Sequence, residues 1–324
     1  MQSERQTVVV LGTGGTIAGL AASPSDNLGY TSGTVPVEKL VEALRPPAGF
    51  SLEIEQVAQL DSKSMDFPTW QRLAESVDRH LARPDVAGIV VTHGTDTLEE
   101  TAYFLQRVLA PGKPVVVTAA MRPASSRQAD GPQNLADALA VAAHWREGGV
   151  VVVLAGSVHC AADVRKVHPY RLDAFGSGDA GPVGRVEEGR LRALRPWPQG
   201  ASIGLASLPD DAAAWPFVAI VASGAGVDGR HVAALVDAGC AGIVVAGTGN
   251  GTIHAALEAA LRSAMARGVA VLRSTRCLDG RVVEGDSSAP DAIPHAGGLT
   301  PPKARIELIL RLLAVARPGS SRSR

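Results

Sequence analysis

Disulfides, charge imbalance and long apolar runs are all missing from this chain. Three cysteines, Cys160, Cys240 and Cys277, stand far apart among 324 residues without any CxxC spacing, which excludes a disulfide framework. His159, Cys160, Asp163 and His168 come close together in sequence, but their spacing matches no standard zinc pattern, and neither a metal nor a cofactor is expected. Lys and Arg number 31 against 32 Asp and Glu, a formal net charge of −1, so nothing general draws the chain to nucleic acid or an anionic membrane. No apolar run approaches the length of a membrane-spanning helix. The opening residues Met1 to Gln6 are polar and carry no signal-peptide core, so a cytoplasmic protein with reduced thiols is expected. The basic tail Arg317 to Arg324, rich in Ser with a Pro and a Gly, reads as a frayed end.

What is present is an ordinary globular composition, 46% hydrophobic and 19% charged, at a length that suits two domains. Apolar runs at Val8 to Leu11, Ala87 to Val91, Pro114 to Thr118 and Val150 to Leu154 read as buried parallel strands. Helical spacing marks Pro36 to Arg45, then a stretch carrying Phe67, Trp70, Leu73, Val77 and Leu81, and then Pro132 to Arg146. A further helix opens at Thr97, with Thr97 and Glu100 spaced as a capping box. The alternation predicts an α/β fold: a larger N-terminal, mostly parallel sheet flanked by helices on both faces. Between Gly176 and Gly200, short alternating pieces such as Arg190 to Leu194 read as a β-hairpin closing that domain. A second unit begins near Pro216. Strands are expected at Phe217 to Ala222, Ala241 to Ala246 and Val269 to Arg273, and helices at Gly229 to Asp237, Ile253 to Ala266 and Pro302 to Val315. The expected division is 1–197 for an N-terminal catalytic domain, 198–215 for a linker and 216–324 for a smaller parallel C-terminal α/β domain.

Two short motifs carry the chemistry. Gly12-Thr13-Gly14-Gly15-Thr16-Ile17 follows the first strand, and His93-Gly94-Thr95-Asp96-Thr97 follows the strand ending at Val91. Both place threonine hydroxyls at the carboxyl ends of strands, where open α/β sheets hold their ligands. The first is not a dinucleotide loop, because Ile17 occupies the third glycine of G-x-G-x-x-G, and no Gly-Lys-Ser/Thr makes it a P-loop. Amides at the start of the helix after Thr95 suit an anion, and Asp96 suits an ammonium; each residue could equally be a helix cap. A threonine needs a base to become a nucleophile. With no G-x-S-x-G elbow, the candidates are Lys, Tyr or His, and sequence alone does not choose Lys166 over Arg165 or Lys63.

These segments together resemble the bacterial-type L-asparaginases and glutaminase-asparaginases. Thr13 to Gly19 is similar to the family's first signature and His93 to Ala102 to its second. Ala120-Met121-Arg122-Pro123 with Ala129 to Leu135, Gly247 to Gly251, and Leu299 to Arg305 resemble later landmarks. The resemblance implies a cofactor-free amidohydrolase acting on L-asparagine. Thr16 would be the nucleophile, helped by Tyr30 on a flexible loop, Ala21 to Gly33, that closes over substrate. Thr95, Lys166 and Asp96 would form a second cluster, with Lys166 as base and Thr95 orienting the attacking water. Gly15, Asp61, Ser62 and Lys63 fall at substrate-binding positions, together with Thr95 and Asp96, Ser62 matching the residue that holds the α-carboxylate. Asn250 matches a contact given by a neighbouring subunit, so a homotetramer built as a dimer of dimers is implied. Glu284 and Asp286 both match a late acidic contact. The chain departs from the pattern at Lys63, a cation where the family often binds the substrate ammonium, and at His159 to Asp163, which lacks the usual Leu-Asp-Gly-Arg-Asp lead-in to the lysine.

Overall fold

The computed structural model describes residues 5–42, 44–197, 200–284 and 292–316; the basic tail lies outside them. The chain divides into two compact units, Met1–Leu205 and Ala206–Arg324.

In the first unit β1 (Gln6–Gly14), β2 (Phe50–Leu60), β3 (Val86–Thr92), β4 (Pro114–Thr118) and β5 (Gly149–Leu154) run parallel. β6 (Ser157–Cys160) folds back antiparallel to β5. Outside this sheet β7 (Arg165–Lys166) pairs with β8 (Phe175–Gly176). A hairpin of β9 (Gly184–Glu187) and β10 (Arg190–Ala193) completes the order β10-β9-β6-β5-β4-β3-β1-β2. The central strands are valine-rich, and Val8 to Leu11, Ile89 to Val91, Val115 to Val117 and Val150 to Val153 are all fully buried. β-branched side chains buried on both faces are what a helix-covered parallel sheet requires.

Four helices cover it: α1 (Val37–Val41), α2 (Phe67–Leu81), α3 (Leu98–Leu109) and α4 (Gly131–His144). Val8, Val10, Val90 and Val116 share a core with Leu135, Leu139 and Ala142 of α4. α4 lies so close that a methyl group on Gly88 would come within 2.4 Å of the Ala142 carbonyl oxygen. α2 and α3 pack against β3 and β5, with Trp70 stacked on Phe104 at 4.8 Å between ring centroids. α2 starts where the Asp66 carboxylate accepts a hydrogen bond from Thr69 N at 2.9 Å, with Pro68 in the first turn, a cap that satisfies an otherwise orphan donor.

The structure adds the short ladder β7–β8 and two longer strands that composition hid, β2 and β6. β2 is an edge strand whose acidic residues Glu53 and Glu55 pair with Arg83 and Arg79, so its apolar signal is diluted. β6 follows a two-residue turn, Ala155 and Gly156, both at positive φ (47° and 69°), the backbone of a type I′ hairpin. The capping box at Thr97 does not form: its hydroxyl donates instead to the Ser62 carbonyl at 2.8 Å. The helix expected over Pro36 to Arg45 is the shorter α1.

The second unit holds a parallel sheet of β11 (Val218–Ala222), β12 (Gly242–Gly247) and β13 (Ala270–Thr275), in that order. α5 (Arg230–Asp237) and α6 (Ala255–Ala266) enclose a core of Ile243, Val245, Leu257 and Leu261. α7 (Pro301–Val315) packs against all three strands.

In the first unit β1 and β3 are neighbours, and the turns leaving them touch. A Cβ on Gly15 would sit 2.3 Å from both Cα and N of Gly94, and one on Gly94 would meet Ser62 Oγ at 2.4 Å. Gly15 also has φ 83° and ψ −171°, a backbone region open essentially to glycine alone. Beneath the second turn, Trp70 Nε1–H donates to Thr101 Oγ1 at 2.8 Å. Thr101 lies 3.0 Å from His93 Nε2, and His93 Nδ1 lies 2.7 Å from the Gly94 carbonyl. A carbonyl only accepts, so Nδ1 carries the proton and Thr101 donates to Nε2. Every member of this buried chain is thereby satisfied.

The chain has a pH consequence. Complete burial of His93 lowers its pKa from 6.5 to about 4, against a small opposing effect of the Gly94 carbonyl. Above pH 6.5 both folded and unfolded imidazoles are neutral. As pH falls toward 4 only the unfolded state takes the proton, so about 3 kcal/mol of stability is lost through this one group. Denaturant titrations between pH 7 and pH 4 are expected to show a shallower loss for His93→Gln than for the wild type. The glycine contact makes a separate prediction. Gly15→Ala should destabilise by more than about 2 kcal/mol, and by clearly more than Gly49→Ala, where φ is 88° but nothing lies within 4 Å of the added methyl.

Candidate active site

Three segments of the first unit converge at the carboxyl ends of β1 and β3. The first is the turn after β1. Gly15 N donates to the Leu60 carbonyl at 2.8 Å, and the chain then bends through a single 3-10 turn, Thr16–Ala18. Ile17 and Ala18 face inward against Ala120, which turns the Thr16 side chain away from the core. Its Oγ1 lies 2.8 Å from the Tyr30 hydroxyl. The loop carrying Tyr30 returns along the turn: Leu20 and Thr31 exchange backbone hydrogen bonds at 3.0 and 2.9 Å, and Gly33 N donates to the Gly15 carbonyl at 3.0 Å. The Tyr30 ring packs on Gly19, where a Cβ would lie 2.8 Å from it.

The second segment is the turn after β3. Thr95 is buried, and its Oγ1 accepts a hydrogen bond from Lys166 Nζ at 2.9 Å. The same ammonium contacts Asp96 Oδ1 at 2.7 Å. In this arrangement Lys166 donates, and the Thr95 hydroxyl keeps its own proton free for another acceptor. Lys166 arrives from the β7–β8 ladder, and its backbone N–H donates to Glu99 Oε2 at 2.7 Å. Glu99, in the first turn of α3, is a positioning residue that the sequence reading passed over. Its place in His93-Gly94-Thr95-Asp96-Thr97-Leu98-Glu99 was the available signal. Of the three cations left open by sequence, Lys63 pairs with Asp61 at 3.1 Å, Arg165 is buried with Nε toward the Asp163 carbonyl, and Lys166 reaches the threonine.

The third segment is the turn Ser62–Ser64 after β2. Ser62 is buried; its Oγ accepts from Asp96 N at 3.2 Å and its carbonyl accepts from Thr97 Oγ1. Asp61 caps this turn through a contact with Lys63 N at 3.3 Å. Thr16 and Tyr30 thus form one pair and Thr95, Asp96 and Lys166 one cluster, with Gly15, Asp61, Ser62 and Lys63 around them.

Asn250 belongs to the second unit. Its side-chain amide donates to the Val283 carbonyl at 2.9 Å and accepts from Val283 N at 2.7 Å, stapling the segment that leads to Glu284. Glu284 contacts His295 Nε2 at 2.9 Å. Asp286 lies outside the described residues. His159 donates to or accepts from Ser177 Oγ at 2.8 Å; His168 Nδ1 accepts from the backbone of Tyr170 and Arg171. Among the described residues no group of three or more His, Cys, Asp or Glu could hold a metal ion, and no helix is long and apolar enough to cross a membrane.

The family model "Asparaginase, N-terminal" matches residues 7–199, and "Glutaminase/Asparaginase C-terminal domain" matches residues 217–319. The chain is 37% identical to L-asparaginase 2 of Bacillus subtilis (strain 168) over 95% of its own length and 83% of that protein's. It is 35% identical to the glutaminase-asparaginase of Pseudomonas fluorescens biotype A over 97% and 88% respectively. The solved structure of a probable cytoplasmic L-asparaginase from Campylobacter jejuni superposes with a TM-score of 0.88 at 35% identity, covering 95% of each chain. Matched over both units and carrying two hydroxyl clusters on adjacent strand ends, the chain belongs to the asparaginase family.

Proposed function

We propose that this protein is an L-asparaginase that hydrolyses L-asparagine to L-aspartate and ammonia through a threonine acyl-enzyme. The observation that carries the reading is the pairing of each hydroxyl with its own proton partner: Thr16 with Tyr30 at 2.8 Å, and Thr95 with Lys166 at 2.9 Å. Thr16 Oγ1 attacks the side-chain amide carbon as its proton moves to the Tyr30 oxygen and the phenol's own proton moves on. The proton passes to the departing nitrogen, the C–N bond breaks and ammonia leaves, so that Thr16 holds an ester. Lys166, as the neutral amine, acts as base: it takes through the Thr95 hydroxyl a proton from a water that adds to the ester carbon, and a proton returns to Thr16 Oγ1 as the ester C–O bond breaks and aspartate leaves. Asp96 steadies Lys166 and offers its remaining oxygen to the substrate ammonium. Ser62 and the amides beside Gly15 receive the α-carboxylate, and the Asp61–Lys63 pair frames that side of the pocket.

In this reading 1–197 is the catalytic domain, 198–215 the linker and 216–324 the C-terminal domain. The active form is a homotetramer built as a dimer of dimers, in which Asn250 of a neighbouring subunit completes the site and Glu284 or Asp286 supplies a late acidic contact. No cofactor takes part. A cytoplasmic location is supported by the three free cysteines, two of them buried, and by the Campylobacter jejuni neighbour, whose description is cytoplasmic. The Pseudomonas fluorescens relative favours a second reading, mixed glutaminase-asparaginase activity, because one methylene is worth only about 1–3 kcal/mol in a pocket.

The test is ammonia release from L-asparagine and, separately, L-glutamine. Thr16→Ala and Thr95→Ala should each lower kcat by about 1,000-fold or more while leaving the melting temperature near that of the wild type; full activity in either variant overturns the mechanism. Asparagine turnover far above glutamine identifies a dedicated asparaginase, and comparable rates the mixed enzyme. The subunit arrangement has its own check. Co-expressed Thr16→Ala and Asn250→Ala chains should regain activity that neither possesses alone, in particles of tetramer mass. Complementation that fails in mixed tetramers would remove Asn250 from the site.

A further inference from the structure

The loop that carries Tyr30 is fastened on its outer side by a segment with no part in the chemistry described above. We propose that Ser126, through Asn27, is a positioning residue: it latches the 21–33 loop closed and so holds Tyr30 against Thr16. This rests on the reading of Thr16 and Tyr30 as the reacting pair.

Residues 121–128 follow β4 and lie beside the loop. Three hydrogen bonds join the two segments. Ala21 N donates to Ser125 Oγ at 2.8 Å, Arg127 N donates to the Pro24 carbonyl at 3.0 Å, and Ser126 Oγ donates to Asn27 Oδ1 at 2.7 Å. The third differs from the others in burial: Ser126 is only 9% exposed, and its oxygen also accepts from Gln128 N at 3.1 Å. A hydroxyl fixed from behind in this way presents its proton in one direction, toward the loop.

The latch segment is itself anchored. The Asp130 carboxylate accepts from the backbone N–H groups of Met121 and Arg122, each at 2.9 Å. Arg122 donates to the Tyr170 carbonyl at 2.9 Å and stacks on the Tyr170 ring at 4.1 Å, which ties it to the stretch directly after Lys166. One rigid segment therefore supports both proton partners, Tyr30 through Asn27 and Lys166 through Tyr170. The loop has few other restraints on this side. Leu28 is 79% exposed, and the Asp26 carboxylate serves its own turn, accepting from Leu28 and Gly29. Loss of this one half-buried hydrogen bond thus changes the closed fraction directly.

The experiment uses hydrogen exchange of the whole oligomer without substrate, alongside steady-state kinetics. Asn27→Ala is the cleaner variant, since it leaves Ser126 bonded to Gln128; Ser126→Ala and Ser126→Thr complete the set. Asn27→Ala and Ser126→Ala should each speed exchange of amides 20–33 by about 3–10-fold while β1 to β5 stay protected. Both should lower kcat/KM by a similar factor. The double variant should be no worse than the worse single, because both remove one bond, and Ser126→Thr should retain wild-type exchange and kinetics. Unchanged exchange at 20–33 overturns the latch. Faster exchange with unaltered kcat/KM overturns its positioning role. A wild type without amidase activity instead overturns the functional reading, and the exchange result then decides the latch alone.

Discussion

The site depends on the backbone contact between Gly15 and Gly94. Adjacent parallel strands in a sheet normally keep their turns apart by the width of their side chains. Here neither turn has one at the crossing, so two threonines that follow strands β1 and β3 are delivered side by side. Gly15 takes up the positive φ that the crossing needs, a conformation glycine adopts freely, and hydrogen bonds at the rim hold it: Gly15 to Leu60 and Gly33, and Thr13 Oγ1 to the Thr92 carbonyl at 2.8 Å. Ser62 fills the remaining space against Gly94 and takes the Asp96 N–H and the Thr97 hydroxyl. Three separate strand ends are thus locked by close packing that a single methyl group would break.

Behind this contact lies a polar chain rather than an apolar wall. The Trp70–Thr101–His93–Gly94 series crosses from α2 through α3 to the β3 turn, and each donor meets one acceptor. Its order fixes the imidazole tautomer, and with it the direction of the Gly94 carbonyl. The peptide plane that follows belongs to Thr95, so the orientation of a catalytic candidate is set by a tryptophan more than one helix away. A neutral buried imidazole is compatible with this role because its two nitrogens do opposite jobs. Protonated, it would have two donors facing one hydroxyl and one carbonyl, and the chain would have to reorganise.

Much of the fold was legible because the buried strands are nearly uniform valine and isoleucine, a pattern that belongs to strands covered on both faces. β2 was not, because Glu53, Glu55 and Gln56 interrupt its apolar run, and an edge strand keeps charge on its exposed rim. β6 hides behind Ala155, a residue with no turn signature, whose positive φ is supported by a hydrogen bond from its N–H to Asn134 Oδ1 at 3.0 Å. Thr16, Thr95 and Asp96 could be singled out from strand-end position alone. Tyr30 and Lys166 could not, since nothing local distinguishes a loop tyrosine or one lysine among several; family resemblance supplied them. Glu99, Ser126 and Asn27 escaped both routes. Their value arises from contacts across 67 and 99 residues of sequence, which no local pattern records.

The two hydroxyls have unlike partners, and the difference suits successive steps. Thr16 shares a hydrogen bond with a phenol, a group that can donate or accept. Thr95 receives its hydrogen bond from the Lys166 side chain, on a ladder tied to α3 by Glu99. A nucleophile must lose a proton and later regain it, so a two-way partner fits the first position. A residue that orients water must keep its hydrogen-bond direction constant, so a firmly held partner fits the second. Substrate entry then demands that only the phenol move. The anchoring differs in the same sense: Tyr30 is fastened by a few side-chain and backbone hydrogen bonds over an exposed loop, whereas Lys166 is held by an ion pair, a helix terminus and a β-ladder. Exchanging the two partners would place the mobile group where geometry must be constant, and the rigid one where substrate must pass.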